Sequence, residues 1–81
     1  MARTKNPPLG LKNCRIGVIG LGYVGLPLAV TAARAGFTVT GYDTDPAKID
    51  AIAARQSYIE AVPTPVLAAE AEAGRLSATG D

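Results

Sequence analysis

The chain has 81 residues, a formal net charge of +1, one cysteine and no histidine or tryptophan. A chain of this length forms one small domain or part of one. Its near-neutral charge gives no sign of a nucleic-acid partner. A single thiol without histidine excludes an internal disulfide, a thiolate zinc site and Ser-His or Cys-His catalysis within these residues.

The first segment, 1–13, has three basic residues and a Pro-Pro pair but no apolar core. We interpret it as a flexible leader rather than a secretory signal. No apolar stretch approaches the roughly 20 residues needed to cross a membrane, so we expect a cytoplasmic protein without a membrane partner. The folded part is expected to cover 14–81, with Cys14 as a small residue at the edge of the first strand.

Three short runs are predicted to form strands, at 15–20, 37–42 and 76–79. The first run is apolar on both faces, which is typical of a buried parallel strand. The second is rich in β-branched and aromatic residues, which favour strands. The third resembles the beginning of a strand and lies at the end of the chain.

Three helices are predicted between these strands, near 24–35, 45–55 and 64–73. The second begins with Asp45-Pro46, an N-cap followed by proline at the first helical position, and Thr64-Pro65 repeats this signal. Pro27 is tolerated only if it lies in the first turn of its helix. Glu70 and Glu72 are expected on a solvated face. The apolar positions at helical spacing are Val24, Leu28 and Ala32 or Ala35 in the first helix, and Ile49, Ile52 and Ala53 in the second.

Strands separated by helices of this length indicate right-handed crossovers and a parallel sheet. The predicted fold class is therefore α/β. We expect a Rossmann-like βαβαβ half of a doubly wound parallel sheet, ordered 3-2-1. The strands that would follow the third are missing, so we expect a truncated domain.

The sequence Gly20-Leu21-Gly22-Tyr23-Val24-Gly25 lies between the first strand and the first helix. A G-x-G-x-x-G pattern in this position is typical of a dinucleotide-binding turn. The first glycine allows the tight turn, the second lets a pyrophosphate approach the backbone, and the third lets the helix pack closely on the sheet. The pyrophosphate would bind the free N–H groups at the positive end of the helix dipole. A role of these glycines in packing alone is the alternative.

Asp43 follows the second strand, about 20 residues after the glycines. A carboxylate at this position accepts hydrogen bonds from the ribose hydroxyls of the adenosine and repels a 2′-phosphate, which favours NAD over NADP. Thr44 offers no positive charge to such a phosphate, whereas Lys48 and Arg55 stay open as side chains able to reach the ribose. A solvent-facing turn position is the alternative for Asp43.

The stretch 16–29, which contains Gly-Tyr-Val-Gly-Leu-Pro-Leu-Ala, resembles the amino terminus of the UDP-glucose/GDP-mannose dehydrogenases. Gly41-Tyr42-Asp43, Lys48 and the Ser-Tyr-Ile-Glu-Ala-Val-Pro of 57–63 are also similar to that family's pattern. The resemblance covers roughly 15–81. The Leu-Pro-Leu-Ala and Ser-Tyr-Ile-Glu segments are more similar to the branch that acts on UDP-N-acetylhexosamines, such as the UDP-N-acetylglucosamine 6-dehydrogenases.

The resemblance implies an NAD-dependent enzyme, with a homo-oligomeric full-length form, that oxidises the 6-hydroxymethyl group of a UDP-sugar to a carboxylate in two hydride transfers. The family's cysteine nucleophile and its lysine and asparagine partners come from later segments, and Cys14 cannot replace them. We therefore predict no catalytic and no metal-binding residue here, and an inert chain. The glycine turn together with the contacts implied by the resemblance gives the predicted cofactor-binding residues Gly20, Leu21, Gly22, Tyr23, Val24, Gly25, Asp43 and Lys48.

Two other hypotheses stay open. The chain is the start of a different Rossmann dehydrogenase, acting on a 3-hydroxy acid or 6-phosphogluconate, although the Gly-Tyr-Val-Gly-Leu-Pro run argues against this. Otherwise it is a small NAD-binding or regulatory module without catalysis. Such a module should bind NAD by itself and be stable without further strands.

Overall fold

The computed structural model describes residues 15–81. The predicted leader, 1–13, and the predicted edge position of Cys14 lie outside this range. None of the helices in the described part has the length and apolar character needed to cross a lipid bilayer. Strands and helices follow the predicted order: β1 (Arg15–Ile19), α1 (Gly25–Arg34), β2 (Thr38–Tyr42), α2 (Pro46–Ala53), α3 (Thr64–Glu72) and β3 (Leu76–Thr79).

The strands form one parallel sheet in the order β1-β2-β3. Arg15 pairs with Thr38, and Val39 pairs with Leu76. The α/β fold class and the predicted 3-2-1 strand order, read from the opposite edge, are therefore confirmed. Because the strands run in the same direction, the turns that follow β1 and β2 meet at one end of the sheet.

The core lies between the three helices and one face of the sheet. Val18, Val39 and Leu76 are buried on that face, whereas Ile19, which points to the other face, is 89% exposed. The prediction that β1 is buried on both faces is therefore wrong within residues 15–81. The physical reason is that α1, α2 and α3 all contribute to the same core and leave the other face of β1 open.

Helix α1 buries a different side from the one that the apolar spacing predicted. The helix is apolar on more than one side, so periodicity did not identify the side that meets the sheet. Pro27 lies in the first turn, as required. The residues that pack in the core are Leu26, Ala29, Val30 and Ala33, while Val24, Leu28 and Ala35 are exposed and Ala32 is half-buried.

Helix α2 begins as predicted and ends early. The Asp45 carboxylate accepts a hydrogen bond from the N–H of Ala47 at 2.9 Å, and proline follows at the first helical position. The helix ends at Ala53 rather than near Arg55, which adopts a left-handed φ of 61°. On its predicted apolar face only Ile52 is buried.

Two predictions about α3 are wrong. Thr64 is not its N-cap, because the Thr64 hydroxyl accepts a hydrogen bond from the N–H of Ser57 at 3.1 Å and Pro63 occupies the cap position. Glu70 does not face solvent: it is 8% exposed and accepts a hydrogen bond from Arg75 Nε at 2.7 Å. The chain turns back after α3, so that Arg75 contacts Glu70 on the helix. This pairing with a positive charge allows the Glu70 carboxylate to be buried.

Two glycines determine how α1 follows β1. Gly20 has a φ of 86°, a left-handed conformation that other residues rarely adopt. A Cβ atom on Gly25 would lie 1.6 Å from the carbonyl oxygen of Gly20, so the helix begins in direct contact with the end of β1. A Cβ atom on Gly22, in contrast, would meet no atom of residues 15–81 within 4 Å.

We expect Ile52→Val to lower the free energy of unfolding by about 0.5–1.5 kcal/mol, because it removes a buried methylene group. Ile52 is 2% exposed, whereas Ile19 is 89% exposed, so Ile19→Val is a matched control that should change stability by less than about 0.5 kcal/mol. Urea unfolding followed by circular dichroism measures both changes. Equal losses in the two variants would contradict the described core.

We expect Gly25→Ala to lower the free energy of unfolding by at least about 2 kcal/mol, because the added methyl group collides with the Gly20 carbonyl. Gly22→Ala is the control and should stay within about 0.5 kcal/mol of the original chain. Thermal unfolding of both variants makes the comparison. A Gly25→Ala chain as stable as the control would show that α1 does not start against β1.

Candidate functional site

The predicted glycine turn is confirmed as a strand-to-helix connection at the carboxyl end of the sheet. β1 ends at Ile19 and α1 begins at Gly25. The Gly20 N–H still donates to the carbonyl of Tyr42, at 2.7 Å, so the first glycine stays joined to β2. This bond brings the turn next to Asp43, which follows Tyr42.

Some backbone N–H groups at the turn and the start of α1 have hydrogen-bond acceptors, and others do not. Leu26 N–H donates to the Gly22 carbonyl at 3.0 Å and starts the hydrogen-bond ladder of α1. Within residues 15–81, the N–H groups of residues 22–25 find no acceptor. Unpaired donors at the start of a helix, together with the positive end of its dipole, are suited to an anion.

Leu21 lies beneath the turn and is fully buried. A Cβ atom on Gly41 would be 2.5 Å from Leu21 Cδ2, so the leucine side chain packs directly on the backbone of β2, where Gly41 has no side chain. The Leu21 N–H donates to Asp43 Oδ2 at 2.8 Å, and its carbonyl accepts from the Tyr58 hydroxyl at 2.5 Å. Leu21 therefore anchors the turn by its side chain, its N–H and its carbonyl.

Asp43 is bound to two backbone amides. Oδ2 accepts from Leu21, and Oδ1 accepts from the N–H of Asp45 at 2.8 Å. The hydrogen bond from Leu21, followed by the one from Asp45, holds the pKa of Asp43 below its ordinary value. Desolvation opposes these bonds, and the positive charge of Lys48 adds a further, smaller lowering of the pKa. The side chain is 10% exposed. Each oxygen of a carboxylate has a further lone pair for a ligand.

Lys48 and Arg55, the two basic residues that the sequence allows to reach the ribose, lie in different places. Lys48 Nζ lies 3.8 Å from Asp43 Oδ2 and is partly exposed. Arg55, after the end of α2, instead has its Nη1 atom 3.2 Å from Glu72 Oε2. Of the two, Lys48 is therefore the one beside Asp43.

Two open depressions meet at the glycine turn. One, of about 290 Å³, lies at the carboxyl end of the sheet and is lined by Ile19, Gly20, Tyr42, Asp43, Thr44 and Gly80. The other, of about 650 Å³, follows the outer side of β1 and the first turns of α1. Tyr23 and Val24 border this second groove and are 83% and 82% exposed, so neither covers the start of the helix. In open α/β sheets ligands bind at this end.

Tyr58 is the residue that sequence reasoning missed. In the sequence it stands out only as part of the Ser-Tyr-Ile-Glu segment, and its partner Leu21 is 37 residues away. No spacing rule links a tyrosine in a connector to a distant turn. Glu60, two residues further along the connector, is exposed.

A sequence profile of the NAD-binding domain of the UDP-glucose/GDP-mannose dehydrogenase family matches residues 14–81. Over 29 residues, which are 36% of this chain and 7% of the relative, the chain is 59% identical to the UDP-N-acetyl-D-mannosamine dehydrogenase of Pyrococcus horikoshii. The profile match covers the glycine turn, Asp43 and Tyr58.

Solved structures agree with this match. A UDP-glucose dehydrogenase from Pyrobaculum islandicum superposes with a TM-score of 0.80 at 33% identity, over 91% of this chain and 17% of that one. The GDP-mannose dehydrogenase of Pseudomonas aeruginosa gives a TM-score of 0.79 at 39% identity, over 84% of this chain and 16% of that one. The chain spans about a sixth of the length of these solved relatives. It belongs to the UDP-glucose/GDP-mannose dehydrogenase family, and the part of the family that it matches is the NAD-binding domain.

Proposed function

We propose that this chain is the part of a nucleotide-sugar 6-dehydrogenase that binds the adenosine diphosphate half of NAD. The observation that carries the proposal is the pairing of two features at one end of the sheet. The N–H groups of residues 22–25, which have no acceptor in the described part of the chain, offer a site for a diphosphate, and Asp43 offers acceptors for a ribose.

The pyrophosphate would lie over Gly22. Residue 22 has no Cβ and no neighbouring atom within 4 Å of where a Cβ would be, so a ligand can approach the backbone there. The positive end of the α1 dipole favours the negative charge of the pyrophosphate, and the free amides donate to its oxygens. The roles proposed for Gly20 and Gly25 are conformational, because they allow the turn and the close start of the helix.

The adenosine would occupy the depression of about 290 Å³ that Asp43 borders. The remaining lone pairs of the Asp43 carboxylate would accept the ribose hydroxyls. Because the Leu21 and Asp45 amides keep Asp43 ionised, a 2′-phosphate would meet a negative charge, and NAD is preferred over NADP. Lys48 would orient this carboxylate and contact the ribose edge.

Tyr23 and Val24 would contact the cofactor where it leaves the turn. Both are exposed at the groove that follows β1. Bound NAD supplies the hydride acceptor for oxidation of an alcohol. We assign no catalytic residue to this chain and propose that the nucleophile and the sugar pocket come from the remainder of the enzyme.

For the substrate we propose a UDP-N-acetylhexosamine whose 6-hydroxymethyl group is oxidised to a carboxylate. The Leu-Pro-Leu-Ala and Ser-Tyr-Ile-Glu segments support this choice, as does the similarity to a UDP-N-acetyl-D-mannosamine dehydrogenase. The relative favours N-acetylmannosamine over the N-acetylglucosamine suggested by the sequence. Solved relatives named for UDP-glucose and GDP-mannose share the same fold, so the fold does not select the sugar.

We expect the chain to bind NAD at least about tenfold more tightly than NADP, because a 2′-phosphate meets the Asp43 charge. Asp43→Asn should reduce this preference to about threefold or less, since the amide carries no charge. Two-dimensional amide NMR titrations with each cofactor are suited to the weak binding expected of a half-site. NAD should shift the amides of residues 20–25 and residue 43.

Asp50→Asn is the matched control, because Asp50 is exposed on α2 and the substitution removes the same charge outside the site. Its preference for NAD should equal that of the original chain. A dispersed spectrum that neither cofactor changes would contradict the proposed site, as would an equal loss of preference in both variants.

The substrate is tested on the polypeptide that contains this segment together with the segments that bind the sugar. NADH formation should be fastest with a UDP-N-acetylhexosamine. Faster formation with UDP-glucose or GDP-mannose would overturn the substrate proposal while leaving the cofactor site intact.

A further inference from the structure

Tyr58 makes an unusual contact with the glycine turn. It lies in the connector between α2 and α3, and its ring is half-buried against the core. Its hydroxyl donates to the carbonyl of Leu21. The connector is itself fixed, because the Ser57 N–H donates to Thr64 Oγ1 at 3.1 Å and the Ser57 hydroxyl donates to the Ile59 carbonyl at 2.9 Å. The position of Tyr58 is therefore determined by contacts that lie outside the glycine turn.

The Leu21 carbonyl is related to two backbone N–H groups, those of Gly22 and Gly25. It belongs to the same peptide group as the Gly22 N–H, so a hydrogen bond to the carbonyl polarises that N–H and fixes its direction. It is also the acceptor that Gly25 would use if α1 were extended by one residue at its start. No such bond from Gly25 is formed, and the Leu21 carbonyl accepts its hydrogen bond from the Tyr58 hydroxyl.

Together with Asp43, the tyrosine holds both ends of the Leu21 residue. Asp43 accepts from its N–H at 2.8 Å, while Tyr58 donates to its carbonyl. The leucine side chain is fully buried. The orientation of the Gly22 amide therefore depends on a side chain from a different segment of the chain.

We propose that Tyr58 is a positioning residue, which orients the Gly22 amide and keeps the Gly25 amide free for the pyrophosphate of the cofactor. The part that concerns the cofactor rests on the proposed function, whereas the effect on the two amides exists without any ligand. Tyr58 does not itself contact the cofactor.

The hydroxyl keeps its proton over the pH range in which the contact is needed. Burial, followed by the negative charges of Asp43 and Asp45, raises the pKa of Tyr58 to about 12. The tyrosine therefore acts as a hydrogen-bond donor to Leu21 at neutral and moderately alkaline pH.

Tyr58→Phe tests the proposal, because it removes the hydroxyl and keeps the ring. In the cofactor-free chain, the amide signals of Gly22 and Gly25 should shift. In titrations, NAD should bind about three- to tenfold more weakly, the effect of one lost hydrogen bond. The preference for NAD over NADP should stay unchanged, because Asp43 is still present.

Thr64→Val is the matched control. It removes a hydroxyl hydrogen bond from the same connector but does not touch Leu21. NAD affinity should stay within about twofold of the original chain and the Gly22 and Gly25 signals should not move. Equal effects of the two variants would mean that only the rigidity of the connector matters, and this would overturn the proposal. So would a Tyr58→Phe chain with unmoved glycine amides.

Two further outcomes separate this proposal from the preceding one. If the original chain binds no NAD, the proposed function fails, and the shifts of the two glycine amides alone decide the role of Tyr58. If Tyr58→Phe does not fold, the contact is measured in the original chain from the exchange of the Tyr58 hydroxyl proton. Slow exchange supports the contact with Leu21, and exchange as fast as that of an exposed tyrosine overturns it.

Discussion

The candidate site depends on the fixed position of one residue, Leu21. Its N–H is bound by Asp43, its carbonyl by Tyr58, and its side chain is buried over the bare backbone of Gly41. These three restraints come from β2, from the turn after it and from the connector that precedes α3. They determine where the chain turns after β1, and therefore where the free amides at the start of α1 lie relative to the sheet.

In the proposed site, Asp43 would link the stability of the turn to the choice of cofactor. Its folded-state pKa lies below the ordinary value of 3.8, so its contacts stabilise the fold at pH values above that and the stabilisation is lost as the pH falls through the folded-state pKa. The same hydrogen bonds that hold the turn keep the carboxylate charged. A cofactor ribose would therefore meet an acceptor that is already oriented by Leu21 and Asp45.

The features that the sequence predicted correctly have local causes. The second strand follows from its β-branched and aromatic composition, the cap at Asp45 from its own side chain, and the strand–turn–helix from the glycine spacing. The errors concern tertiary contacts that local patterns do not contain. Glu70 is buried because Arg75 returns to it. Tyr58 contacts Leu21 because the fold brings the connector next to the glycine turn, and β1 is open on one face because the helices share the other.

Amide hydrogen exchange of Leu21 in the cofactor-free chain tests the central restraint most directly. Because the Leu21 N–H donates to Asp43 and is buried under the turn, we predict protection similar to that of Gly20, whose N–H donates to Tyr42. The amides of residues 22–25, which have no acceptor within residues 15–81, should exchange rapidly. A Leu21 amide that exchanges as fast as the Gly22 amide would show that the turn is not held by Asp43, and would contradict this description of the site.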